Sequence, residues 1–264
     1  MKVAIVITGQ MRDYKVNCAN HVKHIIEPNN ADVFVYACST NTLHTTGPNI
    51  TQKYVKTTKQ ESKELEKEIF DNYGKFLKQV VINENENLDD SDFGTLGYFK
   101  RKMNNQMSNI RKGFELAKEY STKNGFDYDV IVRLRPDNSM LLKPVILSSF
   151  EILDNHVYST VYPSGHRDPW FFSFSKPSTF EKYCSFVYMD GADESRTDND
   201  FDCPEVALEK NLASLGIRNI LHQSICRPFY QYDKTKPITL FPYVSLDEKL
   251  IDAKGNFVPV VTER

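Results

Sequence analysis

Cysteine is scarce in this chain and never paired at short spacing. Only five cysteines occur among 264 residues, and no two of them form a C-x-x-C motif. Such scattered thiols indicate neither a disulfide framework nor a zinc site, so we expect reduced cysteines in a cytoplasmic protein. Their positions are Cys18, Cys38, Cys184, Cys203 and Cys226.

The chain also lacks an excess of charge of one sign and any long hydrophobic run. Lysine and arginine total 33 against 35 aspartates and glutamates, so no basic field favours non-specific binding of nucleic acid. No apolar stretch approaches the roughly 18 residues that cross a bilayer, and residues 3–7 are too few for the core of a signal peptide. With 40% hydrophobic residues, the composition predicts a folded protein with no transmembrane segment and no nucleic-acid partner.

Several nucleotide and hydrolase motifs are absent as well. The loop after the first predicted strand reads T-G-Q-M-R-D at residues 8–13. It has neither the G-x-G-x-x-G pattern of a nicotinamide site nor the G-x-x-x-x-G-K-[ST] pattern of a P-loop, and a nucleotidyltransferase would also need a glycine-rich loop with a lysine here. Neither G-x-S-x-G nor H-E-x-x-H occurs, so a serine hydrolase and a zincin have no support. Gly9 and Arg12 leave a tight turn and a nucleotide contact as equal alternatives.

What the sequence does contain is an opening β-α-β pattern. Residues 2–8 are almost wholly apolar and β-branched, which suits a central parallel strand buried on both faces. Apolar residues at helical spacing follow over 14–26 and stop at Pro28, and residues 32–37 make a second strand. The pattern predicts a parallel pair joined by a right-handed crossover, as in a nucleotide-binding sheet.

The rest of the chain continues this alternation, and no linker or repeat divides it. We predict one α/β domain over residues 1–264, with a mostly parallel sheet flanked by helices. The elements expected after residue 38 are a polar loop at 39–52, helices at 58–72, 98–123, 177–188 and 204–216, strands at 76–82, 129–134, 156–161, 169–174 and 218–222, and an irregular segment at 227–264.

Two arginines and an aspartate stand where the strand at 129–134 ends. Side chains alternate along a strand, so we expect Arg133, Arg135 and Asp137 on one side of the chain as it leaves the sheet. Guanidinium groups grip phosphate oxygens, and Mg²⁺ or Mn²⁺ takes carboxylate and phosphate oxygens. The set therefore suits a diphosphate with a divalent metal; the alternative is an internal ion-pair cluster without a ligand.

Taken together, these motifs resemble those of GT-A-type, nucleotide-sugar-dependent glycosyltransferases. The nearest group is that of the WavE-like lipopolysaccharide-synthesis proteins and related transferases of bacteria and large DNA viruses. The resemblance covers roughly residues 1–225. It implies a GT-A-like single domain with a donor half at 1–140 and an acceptor half at 141–226, working in polysaccharide biosynthesis. The stretches that carry it are G-Q-M-R at 9–12, A-D-V-F at 31–34, N-Q-M-S-N-I-R-K-G at 105–113 and Y-D-V-I-V-R-L-R-P-D at 128–137.

The resemblance implies a donor site and a metal site. Asp137 takes the position of the metal-binding second Asp of an Asp-x-Asp motif, while Arg135 replaces the first Asp. His222 takes the position of a third metal ligand, with a satisfied, partly buried histidine as the alternative. We therefore expect Mn²⁺ or Mg²⁺ at the site, or neutralisation of the phosphates by the arginines alone. The expected donor-binding residues are Thr8, Gly9, Gln10, Arg12, Gln106, Asn109, Lys112, Arg133 and Arg135.

Three of these donor residues, at 106, 109 and 112, follow helical spacing and have a second interpretation. They face the donor if the resemblance holds, and otherwise form a polar stripe toward solvent.

Two acidic residues are candidates for catalysis. Glu205 lies in the first turn of a predicted helix, where inverting GT-A enzymes commonly carry their base; alternatively it only complements the helix dipole. Asp168 precedes a strand where related enzymes bind acceptor, and Trp170 beside it is suited to stacking on a sugar.

The resemblance thus implies a definite reaction. A sugar passes from a nucleoside diphosphate donor, expected to be UDP-linked, to a glycan or glycoconjugate acceptor, with inversion. The alternative is a non-catalytic nucleotide- or glycan-binding protein on the same fold.

Overall fold

A computed structural model gives the fold of most of the chain. It describes residues 1–11, 14–46, 53–84, 96–136, 144–161, 167–186 and 204–221, together with three short strands at Tyr243–Val244, Lys249–Ile251 and Phe257–Pro259.

Seven strands of the described residues form one sheet. The strand bounds, in chain order, are β1 (Val3–Gln10), β2 (Asp32–Cys38), β3 (Thr40–Thr46), β4 (Lys53–Lys59), β5 (Leu77–Asn83), β6 (Val130–Leu134), β7 (His156–Val161), β8 (Arg167–Ser175) and β9 (Arg218–Leu221). The sheet has the order β5-β2-β1-β6-β8-β7-β9, and β3 and β4 pair separately as an antiparallel hairpin.

Strand direction is uniform except at one position. The pairs β5–β2, β2–β1, β1–β6 and β7–β9 are parallel. Strand β8 is antiparallel to both of its neighbours, β6 and β7. The predicted α/β class with a mostly parallel sheet is therefore confirmed, and β1 is an interior strand, buried from Val3 to Thr8, as its apolar composition predicts.

Helices cover both faces of the sheet. Helices α1 (Tyr14–His21) and α2 (Ser62–Tyr73) pack on one face, where Ile5, Val33 and Val132 point. The other face, which carries Val6, Phe34 and Ile131, is covered by α3 (Leu96–Lys123), α4 (Pro177–Cys184) and α5 (Pro204–Ser214). Two apolar layers thus sandwich the sheet, as in other α/β domains.

The polar loop predicted at 39–52 is wrong at Thr40–Thr46, which form β3 and pair with β4 at Lys53–Lys59. The predicted helix at 58–72 accordingly begins later, at Ser62. Threonine-rich segments have strand propensity, but these lack the apolar alternation that a strand packed on a core would show.

The helix predicted at 14–26 is correct in place but changes geometry. It is α-helical only to His21, then a π-helix over Val22–Ile26 and a 3-10 helix over Glu27–Asn29. Pro28 has no N–H to give to the carbonyl of His24, and the N–H of Val145 donates to that carbonyl instead, at 2.8 Å. Proline thus shapes the helix end as well as stopping it.

Along the described part of the chain, none of the helices has the length and apolar composition that a bilayer crossing requires.

Candidate functional site

The carboxyl ends of β1 and β6 form the topological switch point of the sheet. From β1 the chain moves outward to β2 and β5; it then crosses back over α3 to β6 on the other side of β1. The two strands pair as far as Ile7 and Leu134 and then separate. Open α/β sheets bind ligands in crevices of this kind. We therefore place the candidate site at the carboxyl ends of β1 and β6.

Arg133 fills the base of this crevice. Its side chain is only 1% exposed. One terminal nitrogen, Nη1, donates to the carbonyl of Leu134 at 2.6 Å, and Nη2 donates to the carbonyl of Thr8 at 3.2 Å. These carbonyls belong to the strand ends that are parting, so the guanidinium bridges β1 and β6 where their ladder stops. The predicted donor residue therefore brings positive charge under the crevice, with two of its donors engaged by backbone.

Thr8, Gly9 and Gln10 form the β1 side of the crevice. Gly9 has φ of 112°, a backbone conformation that side-chain-bearing residues rarely adopt. A Cβ built on Gly9 has no neighbour within 4 Å among the described residues, so the space beside it is open to an approaching group. Thr8 is buried, and its hydroxyl has no hydrogen-bond partner in the described part of the molecule.

Helix α3 lies against β1 and leads toward the same edge. A Cβ added to Gly113 would meet Thr8 Cγ2 at 2.5 Å and Val6 Cγ1 at 2.7 Å, so only glycine permits this approach. One turn nearer the edge, the buried amide of Asn109 donates to Cys38 Sγ at 3.6 Å. Gln106, one turn further, is half-buried. Asn109 is thus on the sheet side of the helix rather than in a solvent-facing stripe.

Lys112 is placed differently from the other two helix residues. Its ammonium donates to the hydroxyl of Tyr36 at 3.2 Å and lies 5.3 Å from the centre of that ring. The lysine is exposed while Tyr36 is buried. The ammonium charge of Lys112 is therefore accessible beside β2.

The exit from β6 is held by α1. Arg135 is half-buried and Pro136 is buried, and the buried amide of Asn17 donates to the carbonyl of Pro136 at 3.4 Å. Asn17 was not singled out by the sequence, because a lone asparagine in a helix gives no signal of such a contact.

The two predicted catalytic residues belong to backbone that reaches the same edge. Because β8 is antiparallel and Phe172 pairs with Leu134, its earlier residues extend beyond the end of β6, and Asp168 pairs with Thr160 at the end of β7. Helix α5 ends close to Arg218, which pairs with His156 at the opposite edge. The helix packs back along the sheet through Leu208 and Leu212, so its first turn, with Glu205, is toward the carboxyl edge.

Three predicted site residues, Arg12, Asp137 and His222, lie outside the described residues. Within the described ranges, no group of three or more histidines, cysteines, aspartates or glutamates is arranged to hold a metal ion. The metal site therefore stays a prediction carried by Asp137 and His222.

A carboxylate that the sequence analysis missed links the start of α1 to the segment between β4 and α2. Glu68 on α2 accepts hydrogen bonds from Tyr14 Oη at 3.0 Å, Lys15 Nζ at 2.8 Å and Gln60 Nε2 at 2.9 Å. The hydrogen bond from Lys15, with the others, lowers the pKa of Glu68, while burial and the neighbouring carboxylate raise the pKa of Tyr14. In the sequence Glu68 is one of many charges on α2, and nothing distinguishes it.

Comparison with known proteins adds no family to this description. No protein-family model matches the chain, and no curated protein matches it in sequence. The assignment of a function therefore rests on the residues and the geometry of the crevice.

Proposed function

We propose that this protein is a GT-A-type glycosyltransferase that transfers a sugar from a nucleoside diphosphate donor to a glycan or glycoconjugate acceptor. The observation that carries the proposal is the convergence at one switch point of Gly9, the Arg133 guanidinium and the polar face of α3. The Arg133 guanidinium at the bottom of the crevice, the open space beside Gly9 and the side-chain amides of α3 suit a phosphorylated nucleoside.

The topology of the sheet supports the same proposal. The first four strands of this sheet in chain order, β1, β2, β5 and β6, have the spatial order 3-2-1-4, with which doubly wound nucleotide-binding sheets begin. The sheet then continues past β6 with the reversed strand β8 before β7 and β9. The resemblance to GT-A enzymes implies a donor half at 1–140 and an acceptor half at 141–226, and the reversed strand lies in the second of these.

The positive charge at the crevice suits the diphosphate group of the donor. The diphosphate lies over the base formed by Arg133, with Arg135 and Lys112 as the accessible cations and Arg12 as a further predicted one. Asp137 and His222 offer oxygen and nitrogen donors, which suit Mn²⁺ or Mg²⁺, and a bound ion would neutralise part of the phosphate charge.

The transfer itself needs an acceptor hydroxyl and a base. The hydroxyl oxygen forms a bond to the anomeric carbon as the bond from that carbon to the β-phosphate oxygen breaks, and the nucleoside diphosphate leaves with the electron pair. Glu205 at the start of α5 takes the hydroxyl proton. Asp168 at the start of β8 orients the acceptor.

The test is a ligand panel followed by a turnover assay. We expect one nucleoside diphosphate among UDP, GDP, dTDP and CDP to raise the melting temperature, because ligand at about a hundredfold its Kd stabilises a protein by about 2.7 kcal/mol. The matching nucleotide-sugar should then release that nucleotide, more rapidly with a glycan acceptor present. Binding without release would identify the alternative, a non-catalytic binding protein; no binding by any nucleotide, with or without Mn²⁺, would overturn the proposal.

A further inference from the structure

Hydrogen bonds link the segments that follow β5, β2, β1 and β6, which are neighbours in the sheet. The amide N–H of Ser39, after β2, donates to the carbonyl of Asn83 at the end of β5. The N–H of Gln60, between β4 and α2, donates to the carbonyl of Ser39. The side chain of Gln60 donates to Glu68, which also accepts from Tyr14 and Lys15 at the start of α1. Asn17 of the same helix reaches the exit of β6.

Glu68 connects two groups of these hydrogen bonds, one at the base of the β3–β4 hairpin and one at α1. Without its carboxylate, the bonds at Asn83, Ser39 and Gln60 would still hold the base of the hairpin, and Asn17 would still hold β6. Glu68 accepts from both the hairpin exit and the start of α1. Tyr14 and Lys15 follow the predicted donor residue Arg12 by two and three positions.

We infer that Glu68 is a positioning residue: its carboxylate holds the start of α1 against the exit of the β3–β4 hairpin and so fixes the arrangement of these two elements beside the nucleotide site. This inference rests on the proposed function for its ligand. Glu68 lies on α2, across the sheet from α3, and contacts the start of α1 rather than the crevice. Its effect on nucleotide affinity comes from the fraction of molecules in which the start of α1 is already in place, because apparent affinity scales with that fraction.

A purely structural role would look different. The Lys15–Glu68 ion pair is partly exposed, with side chains 58% and 26% accessible, and such pairs contribute little to stability. Tyr14, however, is 1% exposed, and its hydroxyl would also lose the Glu68 acceptor. If Glu68 only joined α1 to α2, its removal would lower the melting temperature and leave nucleotide affinity unchanged.

The experiment compares Glu68→Gln and Glu68→Ala with Glu66→Gln, an exposed glutamate on the same helix. The Kd for UDP, or for whichever nucleotide the wild type binds, should rise roughly 5- to 150-fold in Glu68→Ala, the usual range for coupling between sites. Glu68→Gln should fall between, because its amide oxygen still accepts one bond, and Glu66→Gln should match the wild type. Adding Lys15→Met to Glu68→Ala should weaken binding no further.

Hydrogen exchange without ligand gives a second, independent readout. In Glu68→Ala, backbone amides at 14–17 and at 53–60 should both exchange faster, while those of β7 and β9 remain unchanged. Faster exchange at both segments with an unaltered Kd would overturn the positioning role and leave a structural one. If the wild type binds no nucleotide, the proposed function fails, and acceleration at 14–17 without acceleration at 53–60 would overturn the inference as well.

Discussion

The buried guanidinium of Arg133 donates hydrogen bonds to backbone carbonyls at the switch point of the sheet. Where two parallel strands part, their last carbonyls lose the N–H groups that would have paired with them, and buried carbonyls without partners are costly. Arg133 supplies donors to the carbonyls of Thr8 and Leu134 from a position 1% exposed. The same residue thus satisfies the backbone and leaves positive charge beneath the crevice.

Replacing this guanidinium with an apolar side chain should therefore destabilise the fold. For Arg133→Met we expect a loss of about 2–5 kcal/mol in the free energy of unfolding, since two carbonyls lose their partners at about 1–3 kcal/mol each. Urea denaturation measures it, with Arg218→Met on an exposed arginine as the control. An unchanged urea midpoint in Arg133→Met would show that water replaces the guanidinium without cost.

Arg135 should behave in the opposite way. It is half-buried beyond the end of β6, so its removal should affect ligand more than fold. Arg135→Ala is expected to weaken UDP binding by about 1.5–3 kcal/mol, the value of a hydrogen bond to a charged group, at nearly constant stability. Calorimetric titration decides the point, and equal affinity in mutant and wild type would move the diphosphate away from this arginine.

At the scale of elements, the contact between α3 and β1 depends on the lack of a side chain at Gly113. In an exposed helix, glycine to alanine stabilises by up to about 1 kcal/mol. Here the new methyl would meet Thr8 Cγ2 at 2.5 Å and Val6 Cγ1 at 2.7 Å, and both atoms belong to β-branched side chains with little freedom to move.

Gly113→Ala should consequently destabilise, by about 1–3 kcal/mol, as overpacking does in close-packed cores. Thr8→Ser removes the nearer methyl, so the double variant Gly113→Ala with Thr8→Ser should lose less than the sum of the two single variants. Ser108→Ala, on the exposed side of α3, is the control. A thermal melt in which Gly113→Ala gains stability would mean that α3 can shift away from the sheet.

The π-helix after α1 gives the fold an acid-sensitive point. His24 Nδ1 is buried with no partner among the described residues, and burial, together with the charge of Lys23, lowers the pKa of His24 below 6.5. The unfolded chain then binds a proton that the folded chain does not, so stability falls as pH drops below 6.5 toward the folded pKa.

Unfolding free energy measured between pH 7.5 and 5 should show this loss, and His24→Gln should flatten it. Glu68 acts in a separate range, because its pKa is lowered from 4.5: its stabilising contribution disappears only as pH falls below 4.5. A slope between pH 7.5 and 5 that is identical in wild type and His24→Gln would assign the effect to another group.

Most elements of the main sheet were predictable, since buried strands and amphipathic helices leave a periodic apolar pattern. The exceptions are those that do not depend on the core. The β3–β4 hairpin has threonines and lysines in place of apolar alternation. In the π-helix, the N–H of Val145 donates to the His24 carbonyl, in place of the N–H that Pro28 lacks. Apolar spacing predicts neither feature.

For the candidate site, the sequence predicted the carboxyl edge of the sheet as the location, but not the contacts that the site residues make there. The positions at β1, β6 and α3 meet because parallel strands end together. That Arg133 binds backbone carbonyls, Lys112 binds Tyr36, and Glu68 joins α1 to the hairpin exit depends on atoms brought together from distant parts of the chain. Single residues of common types carry no mark of such contacts.

At the scale of the whole molecule, the sheet divides the proposed chemistry between its halves. The parallel half, β5 to β6, carries Gly9, Arg133 and Arg135, whereas the half with the reversed strand carries Asp168 and Glu205. Donor binding and proton transfer would therefore respond to substitutions in different segments of the chain.

Glu205→Gln tests this division directly. It should leave the Kd for the nucleotide unchanged, because the first turn of α5 belongs to the acceptor half, and reduce release of nucleotide from the nucleotide-sugar by about 10² to 10⁴, the usual contribution of a positioned base. Asp168→Asn should chiefly raise the KM for acceptor. Ser214→Ala at the other end of α5 serves as the control and should alter neither quantity. Turnover lost in Asp168→Asn but kept in Glu205→Gln would exchange the two roles, and a product of retained anomeric configuration would remove the need for a base, because the leaving diphosphate could then accept the proton itself.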